Sequence, residues 1–146
     1  MTEPLYFYTR NDPYFEFSNF APFGFEIGNV YWPTVEHFFQ AAKFHDELHR
    51  ERIRSSRTAK EARSLGQTRD IPIRDDWQTI RVDTMLEALR RKFERPELRD
   101  LLLSTGDREL VESSPFDYFW GSGQDGSGQN KLGNLLMQVR TELRQP

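Results

Sequence analysis

Cysteine is absent from all 146 residues. That rules out disulfide staples and a cysteine nucleophile, and it implies a reducing compartment or a core that needs no cross-link. Long hydrophobic runs are missing too. Nothing approaches the roughly 20 apolar residues of a membrane span, and Met1 to Tyr8 lacks the basic start and apolar stretch of a signal peptide. The expectation is a cytoplasmic protein with no membrane partner. Nor is there an excess of one charge. Twenty basic and 23 acidic residues leave a formal charge of −3, which argues against a strongly electrostatic nucleic-acid binder. Arg50, Arg52, Arg54 and Arg57 could form a local basic patch, although a solvated helix end with compensating acids is the plainer account. No Gly-x-Ser-x-Gly elbow is present and no His/Asp/Glu cluster has metal-ligand spacing. Neither a metal nor a cofactor is expected.

What the chain does have is aromatic surface: 12 Phe, 5 Tyr and 3 Trp. Such side chains fill cores and also stack planar ligands, and composition does not separate the two uses. The length fits a single domain over residues 1–146. Short extended pieces come first, at Leu5–Tyr8, Gly24–Ile27 and Val30–Trp32, with Gly28-Asn29 as a hairpin turn. Helical signals follow. Thr34 caps a run from Val35 to about Glu47, and Thr58 caps a short helix that Gly66 terminates. Asp75 or Asp76 opens the longest candidate, which runs to Glu94 with Trp77 in the core. Pro96 suits the first turn of a helix over Glu97–Leu103. A strand at Leu110–Glu112 and a last helix from about Lys131 to Leu143 complete a helix-rich α+β domain with a small antiparallel sheet near the N-terminus. Strands and helices do not alternate as a parallel α/β sheet requires.

Two constellations could carry chemistry. In Trp32 to Phe44, a helical turn of about 100° per residue puts Glu36, Gln40 and Lys43 within roughly 60° of one another. Aromatic residues flank this polar stripe on both sides. A surface stripe in which Gln40 bridges an acid and a base is the alternative to a buried site. His37 reads as a satisfied structural histidine. The second constellation is Asp117 to Gly123 with Gly126, Gly128, Gln129, Asn130 and Lys131. Backbone NH groups of a glycine-rich loop entering a helix can cradle an anion, and aromatics before it can hold a planar base. A flexible surface loop explains the same glycines. Ser18-Asn19-Phe20 could place an amide in a pocket or simply bond local backbone.

The sequence resembles the NADAR family, whose name refers to NAD and ADP-ribose metabolism. The matching pieces are Ser18-Asn19-Phe20, Tyr31 to His37, Gln40 with Lys43-Phe44, Ala62 with Leu65-Gly66, and Trp77, Arg81, Met85 and Lys92-Phe93. They continue through Thr105-Gly106-Asp107, Leu110-Val111-Glu112, Asp117 with Trp120-Gly121, Asn130, Leu132-Gly133, Leu136-Met137 and Arg140. Gln67 departs from the pattern, since many relatives carry Arg there. The resemblance implies an N-glycosidase. It would act on the early ribosylamino-pyrimidine 5'-phosphates of riboflavin biosynthesis, releasing base and ribose 5-phosphate. Removal of ADP-ribose from guanine in nucleic acid is the alternative, and a non-catalytic ADP-ribose or nucleotide-binding module is a third.

The resemblance also favours a shared pocket for the two constellations. Breaking a ribosyl C–N bond builds positive charge on the sugar, which a carboxylate stabilises. That role, or the orienting of water, falls to Glu36, with Asp117 as the second acid/base candidate. Asn19, Gln40, Phe116 and Trp120 would contact the base and ribose, and the loop with Gly121, Gly123 and Asn130 would hold the phosphate. Lys43 either attacks the ribose carbon to give a Schiff base or acts as a cationic partner.

Overall fold

The computed structural model describes residues 3–145. Its elements run β1 (Leu5–Phe7), a 3-10 turn (Phe15–Phe17), β2 (Phe25–Ile27), β3 (Val30–Trp32), α1 (Val35–Ala42), α2 (Glu47–Arg54), α3 (Ala59–Gly66), α4 (Trp77–Lys92), α5 (Pro96–Ser104), β4 (Leu110–Glu112) and α6 (Lys131–Arg144). The architecture is α+β. The chain divides into two compact units, one of residues Asn19–Lys92 and the other of the chain up to Ser18 and from Phe93 onward.

The inner unit, Asn19–Lys92, is built around α1. Thr34 has extended backbone, and its hydroxyl accepts the His37 NH at 3.1 Å, which sets where the helix begins. All eight residues of α1 are buried. The helix stops at Ala42, short of the expected Glu47. Arg50 of α2 reaches back to donate to the carbonyls of Ala41 and Phe44 at 3.0 and 3.3 Å, satisfying groups that a helix end leaves without partners. A new helix then starts at Asp46, whose carboxylate caps the His49 NH at 2.8 Å. Helices α2, α3 and α4 pack on α1, with Phe39 against Trp77 at 4.9 Å between centroids. Trp77 is buried, as expected. The β2–β3 hairpin is antiparallel, pairing Phe25 with Trp32 and Ile27 with Val30. Gly28 and Asn29 both have positive φ there, as a tight hairpin turn requires. Phe38 meets both Phe25 and Trp32 edge-on, seating the hairpin on α1.

The other unit joins the two ends of the chain. β1 and β4 pair in parallel, Leu5 with Leu110 and Phe7 with Glu112. This parallel pair was not expected alongside the antiparallel hairpin. α6 lies on β4 so closely that a Cβ at Gly133 would sit 2.0 Å from the Leu110 carbonyl oxygen. Phe7, Phe17 and Phe93 form an aromatic cluster, with centroids 5.8 and 5.9 Å apart. Buried Arg140 on α6 donates to Thr105 Oγ1 at 2.8 Å and to the Arg108 carbonyl at 2.9 Å, tying α6 to the end of α5.

Candidate functional site

Within the inner unit, α1 brings Glu36 and Gln40 together. The Gln40 Nε2 donates to Glu36 Oε2 at 2.7 Å, and both side chains are buried. A buried carboxylate must be hydrogen-bonded to remain charged, and Gln40 supplies a donor from one turn further along the helix. The stripe is therefore enclosed, not a surface feature. Lys43 stands at the C-cap position of α1. Its ammonium donates to the Gly66 carbonyl at 3.3 Å. Burial pushes the Lys43 amine below its ordinary value, Glu36 opposes that shift, and Arg63 adds to it. Asn19 contributes through its backbone, its carbonyl accepting the Glu36 NH at 3.1 Å. Its Oδ1 is enclosed and takes no hydrogen bond among the described residues.

His37 is the satisfied structural histidine that the sequence implied. Its Nε2 lies 3.1 Å from the Ser56 carbonyl and its Nδ1 lies 2.8 Å from Thr34 Oγ1. A carbonyl only accepts, so Nε2 carries the proton and Nδ1 accepts from the Thr34 hydroxyl. Of the arginine group, Arg50 caps α1 and Arg54 pairs with Glu51, uses that belong to helix ends.

In the other unit, Asp117 Oδ1 accepts the backbone NH groups of Phe119 and Trp120 at 3.0 and 2.7 Å. Among the described residues its Oδ2 takes no hydrogen bond. Trp120 is half-buried, with its ring edge-on to Phe119 at 4.9 Å. Phe116 is 83% exposed.

Part of the glycine-rich loop spends its backbone NH groups within the chain. The NH groups of Gly128, Gln129, Asn130, Lys131 and Leu132 donate to the carbonyls of Ser122, Tyr118, Gly121, Phe119 and Trp120, so they are not available to an anion. Gly121 and Gly123 are required by packing instead. A Cβ at Gly121 would lie 2.3 Å from Glu112 Oε2, and one at Gly123 would lie 2.3 Å from the Tyr118 ring. Asn130 also has a different task. Its Oδ1 accepts the Glu112 NH at 3.0 Å and its Nδ2 donates to the Leu110 carbonyl at 2.9 Å. With φ at 51°, it clasps the start of α6 to β4.

In the sequence Gly66 reads as a helix terminator and as part of the family pattern, with no link to Lys43 or Gln40. Its carbonyl and its bare Cα lie against Lys43 and Gln40 respectively, and no local pattern announces such a contact.

The NADAR domain model matches residues 6–144. N-glycosidase YbiA of Escherichia coli (strain K12) is 45% identical over 138 residues, covering 94% of this chain and 86% of that protein. The NMR structure of the E. coli protein YbiA superposes with a TM-score of 0.89 at 44% identity, covering 97% of this chain and 84% of that one. Riboflavin biosynthesis protein VVA0006 of Vibrio vulnificus (strain YJ016) is 40% identical over 146 residues, covering 99% of this chain and 40% of that protein. The chain thus belongs to the NADAR family and is a hydrolase acting on N-glycosyl bonds.

Proposed function

We propose that the substrate is a ribosylamino-pyrimidine 5'-phosphate of early riboflavin biosynthesis, cleaved to free base and ribose 5-phosphate. The observation that carries this reading is the enclosed Glu36–Gln40 pair with a desolvated Lys43 one turn on. The similarity to a protein named for riboflavin biosynthesis supports the pathway. In the reaction the C1'–N bond breaks with its electron pair leaving on nitrogen, which takes up a proton. Water supplies the oxygen that bonds to C1'. Positive charge gathers on the ribose as the bond lengthens, and the Glu36 carboxylate lowers the energy of that state. Gln40 keeps the carboxylate oriented. Asn19 Oδ1, an enclosed acceptor without a partner among the described residues, suits a ribose hydroxyl or an amino group of the base. Trp120 suits the face of a planar base. To Asp117 we give the second proton transfer, through the Oδ2 that its turn does not use.

The test is product analysis with the two early riboflavin intermediates and an ADP-ribosylated guanine. Base released from the intermediates alone is the expected result. Glu36→Gln, run in parallel, should lose about 10²–10⁴-fold in kcat. Release from the guanine conjugate alone would overturn the substrate, and near-normal turnover by Glu36→Gln would remove Glu36 from the chemistry.

A further inference from the structure

Gly66 ends α3, and it is not there for a left-handed turn. The described glycines with positive φ are Gly28, Gly106, Gly123 and Gly126, so Gly66 has a conformation that alanine would adopt. What excludes a side chain is its neighbour on α1. A Cβ at Gly66 would stand 2.1 Å from Gln40 Oε1 and 2.7 Å from Gln40 Cβ and Cδ. The first of these atoms ends a flexible side chain, but Gln40 Cβ is fixed to α1 and cannot yield without the helices separating. Gln40 Oε1 is buried with no hydrogen-bond partner among the described residues. Contact with the bare Gly66 Cα, not a polar bond, therefore holds that end of the amide, while the Nε2 end holds Glu36 at 2.7 Å. The same residue's carbonyl accepts the Lys43 ammonium at 3.3 Å. His49, on α2, fastens the preceding carbonyl of Leu65 at 2.9 Å, which fixes this turn in place.

We infer that Gly66 is a positioning residue. Its missing side chain lets the last turn of α3 press the Gln40 amide onto Glu36, while its carbonyl anchors Lys43. It acts through Gln40 and does not touch substrate. The inference rests on the reading that Glu36 bears the charge in the reaction.

Gly66→Ala should turn Gln40 away and take a donor from the charged form of Glu36, raising the carboxyl pKa in the variant. Carbon-13 NMR titration of the Glu36 carboxyl reads this without substrate. The expected result is an upward shift of about one unit or more in both Gly66→Ala and Gln40→Leu, which keeps the packing but has no donor. In turnover, kcat should fall about tenfold or more with little change in KM, and the acidic limb of the kcat profile should move up in pH. A double-mutant cycle separates positioning from general damage. In a Gln40→Ala background, Gly66→Ala should add less than about twofold to the loss in kcat. If Gly66→Ala alone does not fold, the cycle is run in a Gln40→Gly background, where all three clashing atoms are gone. A Glu36 titration and kcat unchanged in Gly66→Ala, or a full further loss in the Gln40→Ala background, would overturn the inference. If Glu36→Gln is inactive while Gly66→Ala behaves as wild type, this inference alone fails. If Glu36→Gln turns over normally, both it and the role of Glu36 fail.

Discussion

Lys43 shows how placement changes what a side chain can do. At the C-cap of α1 a cation is favoured by the negative end of the helix dipole, and Glu36 also favours the charged form. Burial works the other way and is the larger effect, with Arg63 adding to it. The result is an amine easier to deprotonate than an exposed lysine, and the neutral amine is the nucleophile. Its nitrogen would bond to the ribose carbon as the base leaves, and ring opening would give a Schiff base that water then hydrolyses. Borohydride added during turnover should reduce that imine and leave a stable sugar adduct on Lys43, seen by peptide mass spectrometry. Lys43→Arg should give no adduct. Turnover by the native protein with no adduct at Lys43 would confine this residue to an electrostatic role.

At the scale of elements, the start of α1 depends on one imidazole staying neutral. His37 is buried, and desolvation lowers its pKa from 6.5, opposed by the Ser56 carbonyl and by Glu61. The unfolded chain therefore binds a proton that the folded chain resists. The stability from this group is fully present above the unfolded value and is lost as pH falls through the folded one. Protonation would also place an N–H against Thr34 Oγ1, forcing the hydroxyl that caps α1 to turn its own proton elsewhere. Urea midpoints should therefore drop more steeply from about pH 7.5 to about pH 5.5 in the native protein than in His37→Gln. Identical pH dependence in the two proteins would show that His37 does not titrate in this way.

Caps explain why most of these elements could be read from sequence. Thr34, Thr58 and Pro96 each mark a helix start that the structure bears out: the two threonines bond the NH three positions on, and proline's fixed φ suits the first helical position. The break between α1 and α2 escaped, since Arg50 closes α1 from outside the helix and Glu47–Arg54 has no clear apolar period. The β1–β4 pair escaped because its partners stand at opposite ends of the chain. For the site, helical spacing alone joined Glu36 to Gln40. Gly66 meets Gln40 only through the packing of α3 on α1, and the NH groups of residues 128–132 bond to carbonyls of the preceding segment. Both are facts of tertiary structure with no local signal.

For the molecule as a whole, charge separates the two substrate classes that the site chemistry leaves open. The chain carries −3 overall, and two of its four clustered arginines serve helix ends. A protein that works on a base within a polynucleotide gains affinity by displacing counterions from several phosphates, and its apparent affinity falls steeply with salt. A free ribosylamino-pyrimidine 5'-phosphate brings one phosphate, so its binding displaces few counterions. Raising salt from about 50 mM to about 200 mM should therefore change kcat/KM on the small intermediate by less than about threefold. Binding to an ADP-ribosylated oligonucleotide should be weak at both concentrations, by fluorescence anisotropy. An oligonucleotide bound tightly at low salt, with affinity falling about a hundredfold or more across that range, would mean that a basic track exists despite the net charge. The nucleic-acid substrate would then take precedence over the free intermediate.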